Sequence, residues 1–282
     1  MDNKHPFSII GLSLFLGVLI PALALLSCEQ QAKASQTEQD SFTSIENDSV
    51  VTAPTIPFDT MDIKYLLGTF NPAQDDNFVS MASEHTAGSA RNQRIHKEAY
   101  AAFKKMYEAA KSDGITLTIR SATRNFTYQK GIWERKWTGE RLVGGKNLAK
   151  TISDPQERAR AILKYSSMPG TSRHHWGSDI DLNSFENSYF ESGKGLKEFQ
   201  WLSEHAEEYG FCRPYTAKGE HRPEGYEEEK WHWSYKPLAL KYQENYKALV
   251  SLDMIKGFKG AEAGREIDVI THYVFGIDPV CF

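Results

Sequence analysis

The sequence is poor in cysteine, with three in 282 residues, so no more than one disulfide can form within the chain. It also lacks any clustered run of Lys and Arg. Its 33 basic side chains are outnumbered by 37 acidic ones, a formal net charge of −4, and without a basic patch there is nothing to neutralise a phosphate backbone. Nothing here points to a nucleic-acid partner. No segment repeats itself, which argues against a solenoid or propeller. Residues 29–54 have few large apolar side chains and are mostly Gln, Ser, Thr, Glu, Asp and Ala, too little to form a core, and read as a tether.

The amino terminus has what the tether lacks. Residues 7–26 are almost continuously apolar, preceded by Lys4 and followed by Leu25-Leu26-Ser27-Cys28. That pattern reads as an export signal ending in a lipobox-like motif, with Cys28 as the lipidated residue. The alternative is an uncleaved anchor helix, since the run is about long enough to span a bilayer. The expected organisation is therefore a lipoprotein signal peptide at 1–28, a flexible tether at 29–56 and a folded domain at 57–282. Such a chain is an exported bacterial lipoprotein of the cell envelope, held at a membrane through its lipid. Setting Cys28 aside leaves Cys212 and Cys281. An oxidising compartment permits a bridge between them, but spacing does not decide, and two separate buried thiols is the reading adopted.

Within the folded region, residues 92–111 carry Ile95, Ala99, Ala102, Phe103, Met106 and Ala110 at spacings of three and four, with Gly114 as a stop; this predicts a helix with a buried stripe. Residues 115–119 alternate and are rich in β-branched side chains, so a strand is expected to run towards Ser121 and Arg124. Further helices are expected over 128–137, from Asp154-Pro155-Gln156-Glu157 onward with Asp154 as cap, and over 196–209, 237–250 and 266–275. Residues 211–215 read as a strand. The polar stretch 216–228 reads as an exposed connection or lid, with Arg222 and the Glu227-Glu228 pair on a solvated surface and Arg222 placed to meet a substrate carboxylate if the lid closes. These elements make an α+β fold.

Two short stretches concentrate the chemistry. Ser172-Arg-His174-His175-Trp-Gly177-Ser-Asp179-Ile-Asp181 offers a His and an Asp too far apart for one helical turn, with Gly177 free to turn the chain between them. In residues 178–182, Ile180 and Leu182 point to a core while Asp179 and Asp181 point the other way. Residues 231–235 alternate in the same manner, Trp231 and Trp233 towards a core and His232 with Ser234 opposite. His174, Asp181 and His232 would give a Zn²⁺ ion the three protein ligands and open position of a catalytic site, and no convincing fourth ligand is present. Glu229 lies three residues before His232, where a carboxylate can take a proton from water and return it to a leaving amine. His175, adjacent to His174, points elsewhere. His205, His221 and His272 have no motif support.

These motifs resemble those of the zinc D,D-peptidases of the VanY and VanX type, which share a fold with the hedgehog signalling domain. Their Ser-x-His-x-x-Gly-x-Ala-x-Asp is matched by Ser172, His174, Gly177 and Asp181; their Glu-x-x-His by Glu229 and His232; their Ser-x-x-Arg with a downstream Gln by Ser121, Arg124 and Gln129. The resemblance covers roughly residues 65–235. It implies a small central antiparallel sheet flanked by helices, a Zn²⁺ cofactor, and peptidoglycan stem peptides ending in D-Ala-D-Ala as substrates. It also implies Glu229 as acid–base, Arg124 as donor to the developing oxyanion, and Ser121, Gln129 and Ser172 as substrate contacts. A monomer is expected. An L,D-carboxypeptidase, a cell-wall endopeptidase or a non-catalytic zinc-containing wall-binding module are the alternatives. One position departs from the pattern: the family's Ala is Asp179 here, either orienting a ligand from behind or facing solvent.

Overall fold

The computed structural model of the chain describes residues 60–282. The signal peptide, Cys28 and the tether expected at 29–56 lie outside the described residues. Among the described residues no helix is long and apolar enough to cross a membrane.

Strands β1 (Phe78–Ser80) and β2 (Arg94–His96) pair antiparallel as a small ribbon. A second, four-stranded sheet is built from β3 (Ile119–Ser121), β4 (Asp179–Leu182), β5 (Phe211–Cys212) and β6 (His232–Tyr235), in the order β3-β4-β6-β5 with every neighbour antiparallel. Around these lie α1 (Ile63–Leu67), α2 (Lys97–Ser112), α3 (Phe126–Trp137), α4 (Leu148–Thr151), α5 (Pro155–Leu163), α6 (Gly193–His205), α7 (Lys236–Leu249) and α8 (Ala263–Ile267). The small antiparallel sheet flanked by helices is the expected α+β architecture.

Register in the four-stranded sheet sorts chemistry from core. Asp181 stands opposite both His232 and Ser121, and Asp179 opposite Ser234; directly opposed residues share a face. The intervening Ile180, Leu182 and Trp233 therefore project to the other face, and a register shift between Ile119 and Ser121 pairs Ile119 with Leu182 there. There they join Tyr100, Phe103 and Met106 of α2 and Trp201 and Leu202 of α6 in one buried cluster. A second cluster, with Trp133, Leu163, Trp176, Tyr242 and Tyr246, gathers α3, α5 and α7. The polar strand face thus has its back fixed by a packed apolar layer.

Several boundaries differ from expectation, each for a local reason. Helix α2 starts at Lys97, not 92, because Arg94–His96 is committed to the ladder with β1, and the His96 side chain caps the helix by accepting from the Glu98 N–H. Strand β3 begins only at Ile119: Asn183, left-handed at φ +62°, places its side-chain oxygen 2.6 Å from the Thr118 nitrogen, where a ladder bond would continue. Strand β5 stops at Cys212, short of Pro214, which has no N–H to offer a ladder. The predicted helix over 266–275 is split: α8 ends at Ile267, Asp268 turns left-handed at φ +49°, and a π-helical turn, Ile270–Val274, follows. The cap expected of Asp154 on α5 is present, and Gly210, left-handed, ends the helical stretch expected over 196–209.

Two sequence readings are corrected. Arg222 does not lie on a solvated surface: it is 2 % exposed, and its guanidinium donates to the carbonyls of Glu224, Tyr226 and Thr216. It ties the 216–228 loop together, while Glu227 and Glu228 pair with Lys218 and Arg213. Cys212 and Cys281 are not separate thiols but form a disulfide across 69 residues of sequence. The carboxy-terminal turn is brought to β5 by Asp278, whose N–H donates to the Pro214 carbonyl and whose carboxylate accepts from Thr216. Closing so long a loop restrains the unfolded chain by about 4 kcal/mol. Dithiothreitol, or Cys281→Ala, is therefore expected to lower the thermal unfolding midpoint by several degrees. A scan with and without reductant checks this, and identical midpoints would count against it.

Candidate metal centre

His174 reaches the site from a single 3₁₀ turn, Arg173–Trp176, that is closed by Gly177. Gly177 sits at φ +72°, and a Cβ there would meet Phe78 at 2.5 Å and the His96 backbone nitrogen at 3.0 Å. Only glycine allows the chain to turn this tightly between His174 and β4. Asp181 and His232 come from opposed positions on adjacent strands, so backbone pairing itself sets their separation. His174 Nε2 lies 3.3 Å from Asp181 Oδ2, and His232 Nδ1 lies 3.2 Å from Asp181 Oδ1. All three residues are buried, and one ligand atom from each falls within 4.8 Å of the others.

The other nitrogen of each ring is already taken, which fixes what faces the centre. His174 Nδ1 lies 2.9 Å from the Ala122 carbonyl oxygen. An oxygen that can only accept requires the proton on Nδ1, leaving the Nε2 lone pair free. His232 Nε2 donates to Asp179 Oδ1 at 2.9 Å, which turns Nδ1 to the centre beside Asp181. His174 Nε2 and Asp181 Oδ1 are buried with no hydrogen-bond partner. Two ring nitrogens and a carboxylate converging in a buried spot, with His174 Nε2 and Asp181 Oδ1 unpartnered, fit a divalent cation such as zinc. His175 is oriented away as expected: Nδ1 donates to the Arg124 carbonyl, Nε2 accepts from the Gly170 N–H, and burial pushes the ring down to about 3.

Asp179 does not face solvent. It is fully buried and accepts four hydrogen bonds: at Oδ1 from Arg173 Nε (3.0 Å) and His232 Nε2, and at Oδ2 from Ser234 Oγ (3.1 Å) and Ser178 Oγ. Burial alone would raise its pKa; the Arg173 guanidinium and the hydrogen bond from His232 hold it well below the usual carboxylate range. Arg173 also donates to Ser234 and lies over the Trp176 ring, 4.7 Å from its centroid. Burial likewise disfavours charge on His232, but the Asp179 and Asp181 carboxylates outweigh it and push the ring up to about 9. The centre is thus strongly electronegative and attracts a cation. Arg173 was missed in the sequence; its only signal is that a buried-motif Arg and the unusual Asp179 enter the same stretch together.

The three ligands open onto a cleft of roughly 740 Å³. Glu229 lies on its wall with Oε2 3.5 Å from His232 Nδ1. Burial, reinforced by the nearby Asp181 charge, pushes Glu229 up to about 8. Arg124 and Ser121 also line the cleft. Arg124 is positioned by its backbone, whose N–H donates to the His174 carbonyl at 3.1 Å, and its Nε is buried without a partner. Ser172 and Gln129 do not reach the cleft wall: both are 1 % exposed, and Gln129 Nε2 donates to the Ser167 carbonyl at 2.7 Å. Trp231 borders the cleft as well as packing, and Tyr215 covers His232 at 4.5 Å between ring centroids.

A family model described as VanY, D-alanyl-D-alanine carboxypeptidase, matches residues 92–238, just over half of the chain, and the chain belongs to that family. The YodJ protein of Bacillus subtilis (strain 168) is 31 % identical over 155 residues, covering 54 % of this chain and 50 % of YodJ. A Haemophilus influenzae protein described as uncharacterized is 29 % identical over 96 residues, 33 % of this chain and 63 % of that one. The matches thus span half to under two thirds of these relatives. Among solved structures, VanYB in complex with D-alanine-D-alanine is 23 % identical, covering 63 % of this chain and 87 % of that chain, with a TM-score of 0.44. The LdcB LD-carboxypeptidase is 20 % identical, covering 70 % and 80 %, with a TM-score of 0.45.

Proposed function

We propose that this chain is a zinc-dependent D-alanyl-D-alanine carboxypeptidase that removes the terminal D-Ala from peptidoglycan stem peptides at the bacterial cell envelope. The observation that carries this reading is the convergence of the free His174, Asp181 and His232 ligand atoms beside a buried, proton-holding Glu229 at a cleft. Family membership supports it, and lipidation at Cys28 would keep the domain where stem peptides are found.

When bound by these three residues, zinc supplies a Lewis acid that polarises a carbonyl and acidifies water. The chain's own groups do the rest. Glu229, the carboxyl beside the ligands that is not one of them, takes the proton of the attacking water and returns it to the departing amine. Arg124, which lines the cleft, donates to the oxygen that gains charge as the carbonyl is attacked. Ser121, opposite Asp181 on the next strand, is placed to hydrogen-bond the bound peptide. Asp179 and the Ala122 carbonyl hold the two imidazoles in the orientation that ligation requires.

The full chain incubated with acetyl-Lys-D-Ala-D-Ala is expected to release one D-Ala, to stop when 1,10-phenanthroline removes the metal, and to recover on addition of zinc. Amino-acid analysis of the released product reads the outcome. Cleavage only of peptides ending in an L,D bond would reassign the enzyme as an L,D-carboxypeptidase. Zinc binding with no cleavage of any stem peptide would leave a wall-binding module.

A further inference from the structure

Tyr215 touches both halves of the proposed chemistry. Its ring is buried against the His232 imidazole, 4.5 Å between centroids, and against Tyr226 at 4.9 Å. Its backbone carbonyl accepts the Glu229 N–H at 2.9 Å. One residue therefore bears on the tilt of a ligand ring and on the backbone position from which the acid–base carboxyl projects.

The sheet gives this residue little hold. Strand β5 is two residues long and forms the edge of the order β3-β4-β6-β5, so it is paired on one side only, and so short an edge strand is weakly held by its ladder. Arg213 and Thr216 are tied to the adjoining 216–228 loop through Glu228 and Arg222. The anchorage from outside that loop is the carboxy-terminal turn, and it comes at alternate residues. Cys212 is bonded to Cys281, the Pro214 carbonyl accepts the Asp278 N–H at 2.8 Å, and Thr216 Oγ1 donates to Asp278 Oδ2 at 2.7 Å. The turn is itself fixed, because Asp278 Oδ1 accepts from the Val280 N–H at 3.0 Å and Lys236 Nζ donates to the Val280 carbonyl at 2.6 Å. These ties bracket Tyr215, and residues 278–281 that supply them lie beyond the stretch 92–238 that matches the family.

We infer that Tyr215 is a positioning residue for the metal centre and that the turn 278–281 is the strap that sets it. Releasing the strap lets Tyr215 retreat, which frees the His232 ring to tilt and carries the Glu229 backbone with it. The three ligands stay in the chain, but their geometry and the proton's path change. Rates respond steeply to such shifts, since a displacement of about 1 Å caused far from the chemistry can cost about 10²-fold. The kinetic half of the inference rests on the peptidase reading, and the metal half on the contact between Tyr215 and His232.

Three full-chain variants each release one kind of tie: Thr216→Val, Asp278→Ala, and the double variant Cys212→Ala, Cys281→Ala, which leaves no thiol at the bridge to compete for metal. Asp278→Asn is the conservative rescue, because its amide keeps an oxygen for the Val280 N–H and offers an N–H to Thr216 Oγ1. Thr216→Val deletes a single hydrogen bond and keeps the side chain's shape, so it serves even where a larger change fails to fold. Each chain is loaded with Co²⁺ in place of zinc, an ion whose visible absorption follows the geometry of its ligands, and the spectrum is taken well below the unfolding midpoint. Hydrolysis of acetyl-Lys-D-Ala-D-Ala is measured on zinc-loaded samples. All chains are expected to bind one metal ion. The absorption should shift in the three release variants and be parental in Asp278→Asn. In Thr216→Val and Asp278→Ala, kcat should fall about tenfold or more while KM stays within about threefold. A parental cobalt spectrum in every release variant that folds would overturn the strap, whatever the loss of thermal midpoint, because His232 would then be held without it. A shifted spectrum in those variants, together with no D-Ala released by the wild type, would support the strap and sink the hydrolase reading alone.

Discussion

Glu229→Gln is expected to lower kcat by about 10²- to 10⁴-fold while the chain still binds one zinc ion. The substitution keeps the shape of the side chain and removes its ability to carry a proton. Glu229 is well suited to proton transfer, because burial and the neighbouring Asp181 push it up to about 8 before any metal is present, against the opposing pull of His232, Arg124 and Lys136. A cation on the three ligands would add positive charge close by and draw the carboxyl back towards neutrality, where it can both accept and return a proton. Because Glu229 is not among the three convergent ligand residues, its loss leaves the metal set intact. His174→Ala is the contrasting variant, removing one of three donors and with it the ion. Steady-state kinetics beside a zinc determination on the same sample separates the two. Undiminished hydrolysis by Glu229→Gln would show that another group moves the proton.

Why this pair of stretches was readable at all comes from alternation. In Asp179–Leu182 and His232–Tyr235 the period of two sorts polar from apolar side chains, so the face each residue takes could be stated before any pairing was known. What alternation does not carry is register. That Asp181 stands opposite His232, and Ser121 on its other side, is a tertiary fact, as is the 3₁₀ turn that swings His174 over them. Motif spacing likewise names residues without aiming them. Ser172 and Gln129 sit at the expected positions and yet are buried away from the cleft wall.

Burial of charge leaves no mark on composition, and docking of distant segments leaves none either. Arg222 lies in a Gly- and Pro-containing polar loop and looks solvated, but three backbone carbonyls inside that loop need donors and its guanidinium supplies them. Lys136, whose ammonium donates to Ser166 Oγ, lies in a helix whose only buried residues are Gln129 and Trp133, a pattern too sparse to say which lysine turns inward. The Cys212–Cys281 bridge depends on where the carboxy-terminal turn docks, which 69 residues of intervening sequence do not disclose.

Asp179→Ala returns the chain to the residue its family carries there, and it is nevertheless expected to be damaging on two independent counts. The Arg173 guanidinium has no exposed surface and Asp179 is its counter-ion. Deleting one partner of such a buried pair typically costs about 3–5 kcal/mol, because the surviving charge stays desolvated. The second count concerns the metal. Without the Asp179 carboxylate at its Nε2, His232 loses the contact that fixes its tautomer and turns its Nδ1 lone pair to the centre; contacts of this kind are worth about 10- to 100-fold in metal affinity. The two effects separate in the double variant Arg173→Met, Asp179→Ala. Removing both charges relieves the buried guanidinium, and Met packs on the Trp176 ring where Arg173 lay. Stability should return to within about 1–2 kcal/mol of the parent, whereas zinc affinity should remain depressed. Denaturant unfolding of the zinc-free chains and competition titration of the zinc-loaded ones read the two quantities. If the double variant recovered zinc affinity along with stability, Asp179 would be acting on the metal only through the fold, and the direct orientation of His232 would have to be abandoned.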